Sequence, residues 1–490
     1  MEPNCVQFLE NKTMLVTGAS GFLAKVFVER VLRLQPNVKR LYLLVRASDK
    51  KSAEQRLQSE VFEKDLFRVL RKNVGDQNLN ALISEKVVPV TGDVSLNNMG
   101  VSDSDLLQDM MQEIDIVLHS AATTRFDERY DVALRINTFG ALNVLNFAKK
   151  CVKPQLLLHV STAYVCGERS GLIHEKPFAM GETLNGKAKL DINTEMQLVE
   201  HKLKQLVEQG CSKEETKQAM RDLGMKRAKL YGWPNSYVFT KSMGEMLLGH
   251  YRENLPIVII RPTIITSTFS DPFPGWIEGL KTVDSVIVPY GKGTLKCFLV
   301  DHKVVCDMIP VDMVANAMIA TAAEHFGDSG SHTVYNVSSS YRNPVTYKQM
   351  YKFIARYFKE SPLLGRNGMP IVPNVTLLST MGRFRLYTKL RFKLPLQMLG
   401  LLSVILPSQL GDKYQDNNRQ FKKAMTLMKV YEPYLLFKGI FDDQNLETLR
   451  IKNEAKGMHD LSGFNPKCIN WEDYFLNTHI HGVVTHVIDK

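Results

Sequence analysis

Tyr237 and Lys241 stand four positions apart in the stretch Asn235 to Tyr251, which follows Pro234 and reads as a helix. That spacing puts a phenol and an ammonium on one helical face. A free tyrosine ionises at about pH 10, too high to trade protons readily at neutral pH, and a neighbouring cation favours the phenolate. The pair is therefore a candidate proton donor to a carbonyl oxygen that is receiving hydride. Upstream, the segment His159-Val160-Ser161-Thr162-Ala163-Tyr164-Val165-Cys166-Gly167 places two hydroxyls just beyond an apolar run. Ser161 or Thr162 there would hydrogen-bond a substrate oxygen and hold the oxyanion that forms on it. A Tyr-x-x-x-Lys match alone arises often by chance, so what precedes it matters.

What precedes it is a dinucleotide-binding pattern. Thr17-Gly18-Ala19-Ser20-Gly21-Phe22-Leu23-Ala24 follows the first apolar run and opens a helix. Glycines there let the backbone turn tightly and let amides approach a pyrophosphate seated on the helix N-terminus. At the end of the second strand, where an NAD enzyme would place an acid on the ribose, the chain reads Leu44-Val45-Arg46-Ala47. An arginine fork suits a 2′-phosphate, so Arg46 favours NADPH over NADH. Asp93, in Gly92-Asp93-Val94, could accept from the adenine amine, and the small Ala121 and Ala122 after His119-Ser120 would let the backbone pass close to the cofactor. His119 itself reads as structural or cofactor-contacting rather than as an acid-base catalyst.

These segments need a scaffold. From Thr13 onward, short Val/Ile/Leu-rich runs alternate with longer amphipathic stretches, the pattern of a Rossmann-type doubly wound parallel sheet buried on both faces. The expected strands are Met14 to Val16, Leu41 to Val45, Val87 to Val90, Ile114 to Leu118, Leu156 to Val160, Ile257 to Ile260 and Val334 to Val337. A long insertion, residues 167–234, with a charged, helix-compatible middle, lies between the fifth and sixth. The division expected is a reductase domain over 1–355, a linker over 356–372 marked by Pro362, Gly365, Gly368 and Pro370, and a smaller, mainly helical C-terminal domain over 373–490.

The chain of 490 residues carries a net charge of +11, and residues 341–456, with 20 Lys and Arg against 8 Asp and Glu, hold all of the excess. Such a block attracts phosphates or an anionic membrane surface. Nucleic acid is the poorest partner, because no recognised binding module accompanies the charge. Arg383, Arg385, Lys389, Arg391 and Lys393 alternate with aromatic and aliphatic residues and run into the apolar stretch Leu394 to Leu406. At thirteen residues that stretch is short of the roughly 20 needed to cross a bilayer, and reads either as an interfacial segment or as a buried core helix. The seven cysteines include no Cys-x-x-Cys pair and read as reduced thiols facing the cytosol, with no metal site expected. Met1 to Asn11 lacks the pattern of a secretory signal.

The turn at Thr17 to Lys25, the Ser-Thr-Ala-Tyr-Val-Cys-Gly segment and Tyr237-x-x-x-Lys241 resemble the extended short-chain dehydrogenase/reductase superfamily. With Ala121 to Tyr130, Asn137 to Ala141, Gly232 to Asn235, Ile260 to Thr266, Pro272 to Gly279 and Tyr434 to Asp443, the chain is similar along nearly its whole length to the plant branch of the alcohol-forming fatty acyl-CoA reductases. It departs from that branch at His119, where asparagine is expected. The resemblance implies Thr162 as the catalytic hydroxyl, with Ser161 second, beside Tyr237 and Lys241. It implies cofactor contacts from Thr17, Gly18, Ser20, Gly21, Phe22, Leu23, Arg46, Asp93, Ala121, Tyr237, Lys241 and Pro262.

The activity implied is a two-step, NADPH-dependent reduction of long-chain acyl-CoA through an aldehyde to a primary alcohol, with release of CoA, in wax, suberin or related lipid synthesis. The aldehyde must then be retained between steps, and residues 167–234, the loop Asp271 to Gly279 and the C-terminal domain are the expected tunnel walls. Peripheral association with the cytosolic face of the endoplasmic reticulum is expected, ahead of free cytosol or plastid. The competing readings are an aldehyde-only reductase, a nucleotide-sugar or sterol enzyme of the superfamily, and a non-catalytic NADPH-binding regulator.

Overall fold

The computed structural model describes residues 7–457 and 463–488. Seven apolar runs form one parallel sheet: β1 (Thr13–Thr17), β2 (Arg40–Val45), β3 (Val87–Thr91), β4 (Ile116–His119), β5 (Leu156–Val160), β6 (Ile257–Pro262) and β7 (His332–Val337). Their order across the sheet is β7-β6-β5-β4-β1-β2-β3. It reverses between β1 and β4, which opens a crevice at the carboxyl ends of those two strands, the place where such sheets bind ligands. The strands fall where the apolar runs predict them, with one shift. Ile114 closes the helix Ser104–Glu113 by donating its N–H to the Met110 carbonyl, so β4 begins at Ile116.

Register fixes which side chains share a face. Leu15, Val117 and Leu157 are direct neighbours on β1, β4 and β5, and two residues further along so are Thr17, His119 and His159. The first row lies in a core layer with Val144, Leu145 and Leu248 from the covering helices. Helix α1 (Phe22–Leu34) packs on the opposite layer beside helix α2 (Val311–His325), with Val26, Phe27, Val31, Val314 and Met318 buried between them.

The insertion contains helices Ile192–Glu208 and Lys213–Leu230, the second opened by a Ser212–Glu215 capping box. Its apolar stripe packs with Tyr130, Trp233 and Phe239 behind the helix Ser236–Tyr251. Buried Glu195 pins it there, accepting from Tyr130 Oη at 2.8 Å, Arg227 Nε at 2.9 Å and Tyr231 Oη at 3.1 Å.

Helix Tyr347–Glu360 runs through position 355, and an exposed, largely irregular stretch follows. Helices Met381–Thr388, Leu394–Ile405 and Pro407–Leu435 come next. The chain then returns to the sheet. Strand Gly439–Phe441 pairs in parallel with Gly171–Ile173, and Asn445 Nδ2 donates to the Val334 carbonyl on β7 at 2.9 Å. Tyr474 and His479 are buried against Ser267, each within hydrogen-bond distance of its hydroxyl at 3.1 Å. No residue of the helix Leu394–Ile405 is buried, so it is not a core helix. Its outer residues are largely bare, with Met398 66%, Leu401 71%, Val404 80% and Ile405 73% exposed. Among the described residues no helix is long and apolar enough to cross a membrane.

Candidate active site

The turn from β1 into α1 is shaped by close approach. Gly18 has φ +70°, and a Cβ there would sit 2.8 Å from the backbone of Ala121 on the neighbouring loop. Gly21 is the N-cap of α1 and supplies no side-chain cap, so the first-turn amides are left to an anion. Thr17 Oγ1 accepts from the Ala121 N–H at 3.2 Å and ties the two loops together. Phe22 stacks on Trp276 with ring centroids 5.3 Å apart. These positions fit a dinucleotide whose pyrophosphate lies over the start of α1.

Arg46 is exposed at the end of β2. Its carbonyl accepts from Arg56 Nη1 at 2.7 Å, and Arg56 Nη2 lies 3.4 Å from Ser20 Oγ. Arg56 thus stands between the two predicted contacts, a second guanidinium that the sequence reading missed. Asp93 lies beyond β3 and accepts from the Ser95 N–H at 2.9 Å through Oδ1. Arg46 and Asp93 lie at the carboxyl ends of β2 and β3, and the Tyr237–Lys241 pair lies on the other side of the β1 turn.

There, Thr162, Tyr237 and Lys241 converge on one cavity of about 1420 Å³ together with Ser161 and Pro262. That exceeds the roughly 300–1,000 Å³ of ordinary small-molecule sites. Asn235 caps the helix Ser236–Tyr251 by accepting from the Val238 N–H at 3.2 Å, which fixes Tyr237 in its first turn. The Thr162 hydroxyl lies beside the Tyr237 phenol and favours its ionised form. Lys241 donates to the Val160 carbonyl at 2.7 Å and lies 3.2 Å from His159 Nε2.

The electrostatics correct one expectation. Burial pushes the Tyr237 phenol up to about 12, with the Thr162 hydroxyl acting in the other direction. Lys241 does not bring it toward neutrality, because the amine's hydrogen bonds run to β5. Burial also draws Lys241 down to about 8, opposed by the Glu245 carboxylate. The phenol is thus held protonated at neutral pH, as a donor must be.

A second correction concerns the walls. Neither the insertion 167–234 nor the loop Asp271 to Gly279 lines the cavity. The insertion's apolar stripe is spent on the back of the helix Ser236–Tyr251. The far wall comes from C-terminal helices through Phe384, Leu396, Leu399 and Phe421. Tyr434, also C-terminal, closes the near side: it stacks on Phe126 at 5.0 Å, meets Tyr164 edge-on at 5.1 Å and accepts from Asn235 Nδ2 at 2.6 Å. The only sign of it in the sequence is that it opens the matched segment Tyr434 to Asp443.

Comparison with known proteins covers the same two parts. Two family profiles, both described as male sterility protein, match residues 16–318 (the NAD-binding part) and 391–490 (the Sterile part). The chain is 63% identical to fatty acyl-CoA reductase 1 of Arabidopsis thaliana, with all of both chains covered. It is 49% identical to the alcohol-forming fatty acyl-CoA reductase of Simmondsia chinensis over 99% of each. Among solved structures, the terminal reductase domain of a myxalamid synthesis pathway superposes with a TM-score of 0.58 at 17% identity, covering 97% of this chain and 91% of that one. That likeness is one of fold.

Proposed function

Because the chain belongs to the alcohol-forming fatty acyl-CoA reductase family, an oxidoreductase family with a nicotinamide-binding domain, we propose that it reduces long-chain acyl-CoA with NADPH in two steps, releasing CoA and then a primary alcohol. The observation that carries this reading is the single cavity that joins Thr162, Tyr237 and Lys241 to the apolar C-terminal helices. Arg56, which reaches Ser20 while ion-paired with Glu60 at 2.8 Å, and the exposed Arg46 at the end of β2 support a 2′-phosphate, because guanidinium groups bind a dianion far better than they bind ribose hydroxyls.

When bound, the cofactor supplies hydride. Thr162 and Tyr237 donate hydrogen bonds to the carbonyl oxygen and stabilise the charge that hydride addition places on it. The thioester carbon–sulfur bond then breaks, and the sulfur leaves as thiolate. At the aldehyde step Tyr237 gives its proton to the alkoxide and Lys241 restores it. Two hydrides and two protons convert thioester to alcohol and thiol. Between the steps the aldehyde's chain stays among the C-terminal helices, whose apolar lining retains it by burial.

The bare outer face of Leu394–Ile405, flanked by Arg383, Arg385, Lys389, Arg391 and Lys393, supports peripheral seating on an anionic bilayer, with the inner face opening the cavity to lipid. We place this at the cytosolic face of the endoplasmic reticulum, in the supply of alcohols for wax, suberin or related lipids. Product chromatography with acyl-CoAs of graded length and either NADPH or NADH tests the reading. Long-chain alcohol with NADPH is expected, with the preference over NADH falling about tenfold or more in Arg56→Ala. Aldehyde as the sole product, or no reduction, would refute it.

A further inference from the structure

The parallel register sets Thr17, His119 and His159 abreast at the carboxyl ends of β1, β4 and β5, directly above the apolar row Leu15, Val117 and Leu157. All three are sealed from solvent, at 0%, 1% and 0% exposure. Thr17 Oγ1 lies 2.8 Å from His119 Nδ1, and the His119 and His159 rings are 5.0 Å apart between centroids. The row ends at Lys241, whose amine is 3.2 Å from His159 Nε2. Among the described residues, His119 Nε2 and His159 Nδ1 have no hydrogen-bond partner. Two buried imidazoles with unpartnered nitrogens, where Leu or Val would continue the layer, break the rule that interior polar groups are paired, and such breaks concentrate at functional sites.

We propose that His159 is a positioning residue for Lys241: with the Val160 carbonyl it holds the amine behind Tyr237, and His119, itself held by Thr17, braces it from the next strand. An ammonium has three N–H donors and no acceptor. Val160 and His159 take two of them, which leaves one aimed by default toward the cavity. For Nε2 to accept, His159 must be neutral, with its proton on Nδ1. Burial and the nearby lysine charge hold it well below its ordinary range, and burial first, then Lys241, draws His119 down to about 3.

The groups facing Lys241 are His159 and His119 from the sheet, Tyr237 and Glu245 from its own helix, and Arg261 from β6, which donates to Glu245 Oε1 at 3.1 Å. An acceptor on the amine favours its charged form. Without His159, the lysine would lose its proton at a lower pH and return fewer protons to Tyr237.

This inference rests on the proposed reductase reading, and its test separates the two. In the full chain, His159→Phe and His159→Gln are compared with wild type in three ways: NADPH affinity, kcat against pH with a soluble aldehyde, and acetylation of the Lys241 amine against pH read by mass spectrometry. His159→Phe should keep its NADPH affinity, lose about tenfold or more in kcat, and move both the alkaline limb and the labelling midpoint down by about half a pH unit or more. His159→Gln, whose amide oxygen takes the place of Nε2, should restore both, and His119→Asn should give the same shift at smaller size. An unmoved labelling midpoint in His159→Phe, or a loss that glutamine does not restore, would overturn the proposal, since packing alone would then explain it. A shifted midpoint in a chain that reduces no aldehyde would refute the reductase reading and still support His159 as the lysine's partner.

Discussion

The carboxyl ends of the central strands and the helix Leu394–Ile405 invert each other. At the strand ends, and on the helix that covers them, polar side chains are inside: Thr17, His119, His159, Ser161, Thr162 and Lys241 are all buried. On the helix, apolar side chains are outside, from Met398 to Ile405. Each inversion costs free energy if the chain is considered alone. Burying a lysine opposes its charge, and an exposed contiguous apolar patch marks a surface meant for another phase. On the proposed function, the first cost is offset by pre-organised chemistry, and the second by delivery of an insoluble substrate. The cavity that touches both regions makes them parts of one device.

Perturbing each region in turn tests that division. The largest effect is expected from Tyr237→Phe, which removes the proposed proton donor. Its kcat should fall by about 10²–10⁴-fold for a soluble aldehyde and a long-chain acyl-CoA alike, with NADPH affinity unchanged by titration. An effect confined to the long substrate would break the comparison. Next, truncation of Leu157→Ala in the layer beneath the site should cost about 2–5 kcal/mol in denaturant unfolding, whereas Leu401→Ala should change stability by less than about 0.5 kcal/mol. The smallest effect on the isolated protein, and the sharpest on its placement, is that of Leu401→Glu combined with Ile405→Glu. Flotation with anionic vesicles should be lost and long-chain turnover on them should fall about tenfold, while turnover of the soluble aldehyde stays the same.

The two regions also differed in how far the sequence disclosed them. The strands, the turn at Gly18 and the Tyr237–Lys241 spacing were readable because each is a local pattern within a few residues. His159 meets Lys241 across 82 positions and Tyr434 meets Asn235 across 199, so no window of sequence holds either pair. Arg56 escaped notice because it reaches Ser20 only when the helix after β2 folds back over the turn. The misassigned tunnel walls had a similar cause. The charge and helical period of residues 167–234 showed that helices would form there, but not which face of the molecule would receive their apolar stripe. The basic, apolar run near residue 394 was visible as such, yet whether it lay inside or outside depended on its neighbours.

The strand Gly439–Phe441 that pairs with Gly171–Ile173 bears on how the chain is made. His174 and Asp442, which meet beside that pairing, are 268 positions apart. At about 5–20 residues per second the ribosome needs roughly 15–50 s to supply the partner. Until then Gly171–Ile173 is an open edge, able to recruit any passing strand. Nascent chains halted before Gly439 should therefore depend on chaperones in a way that the finished protein does not.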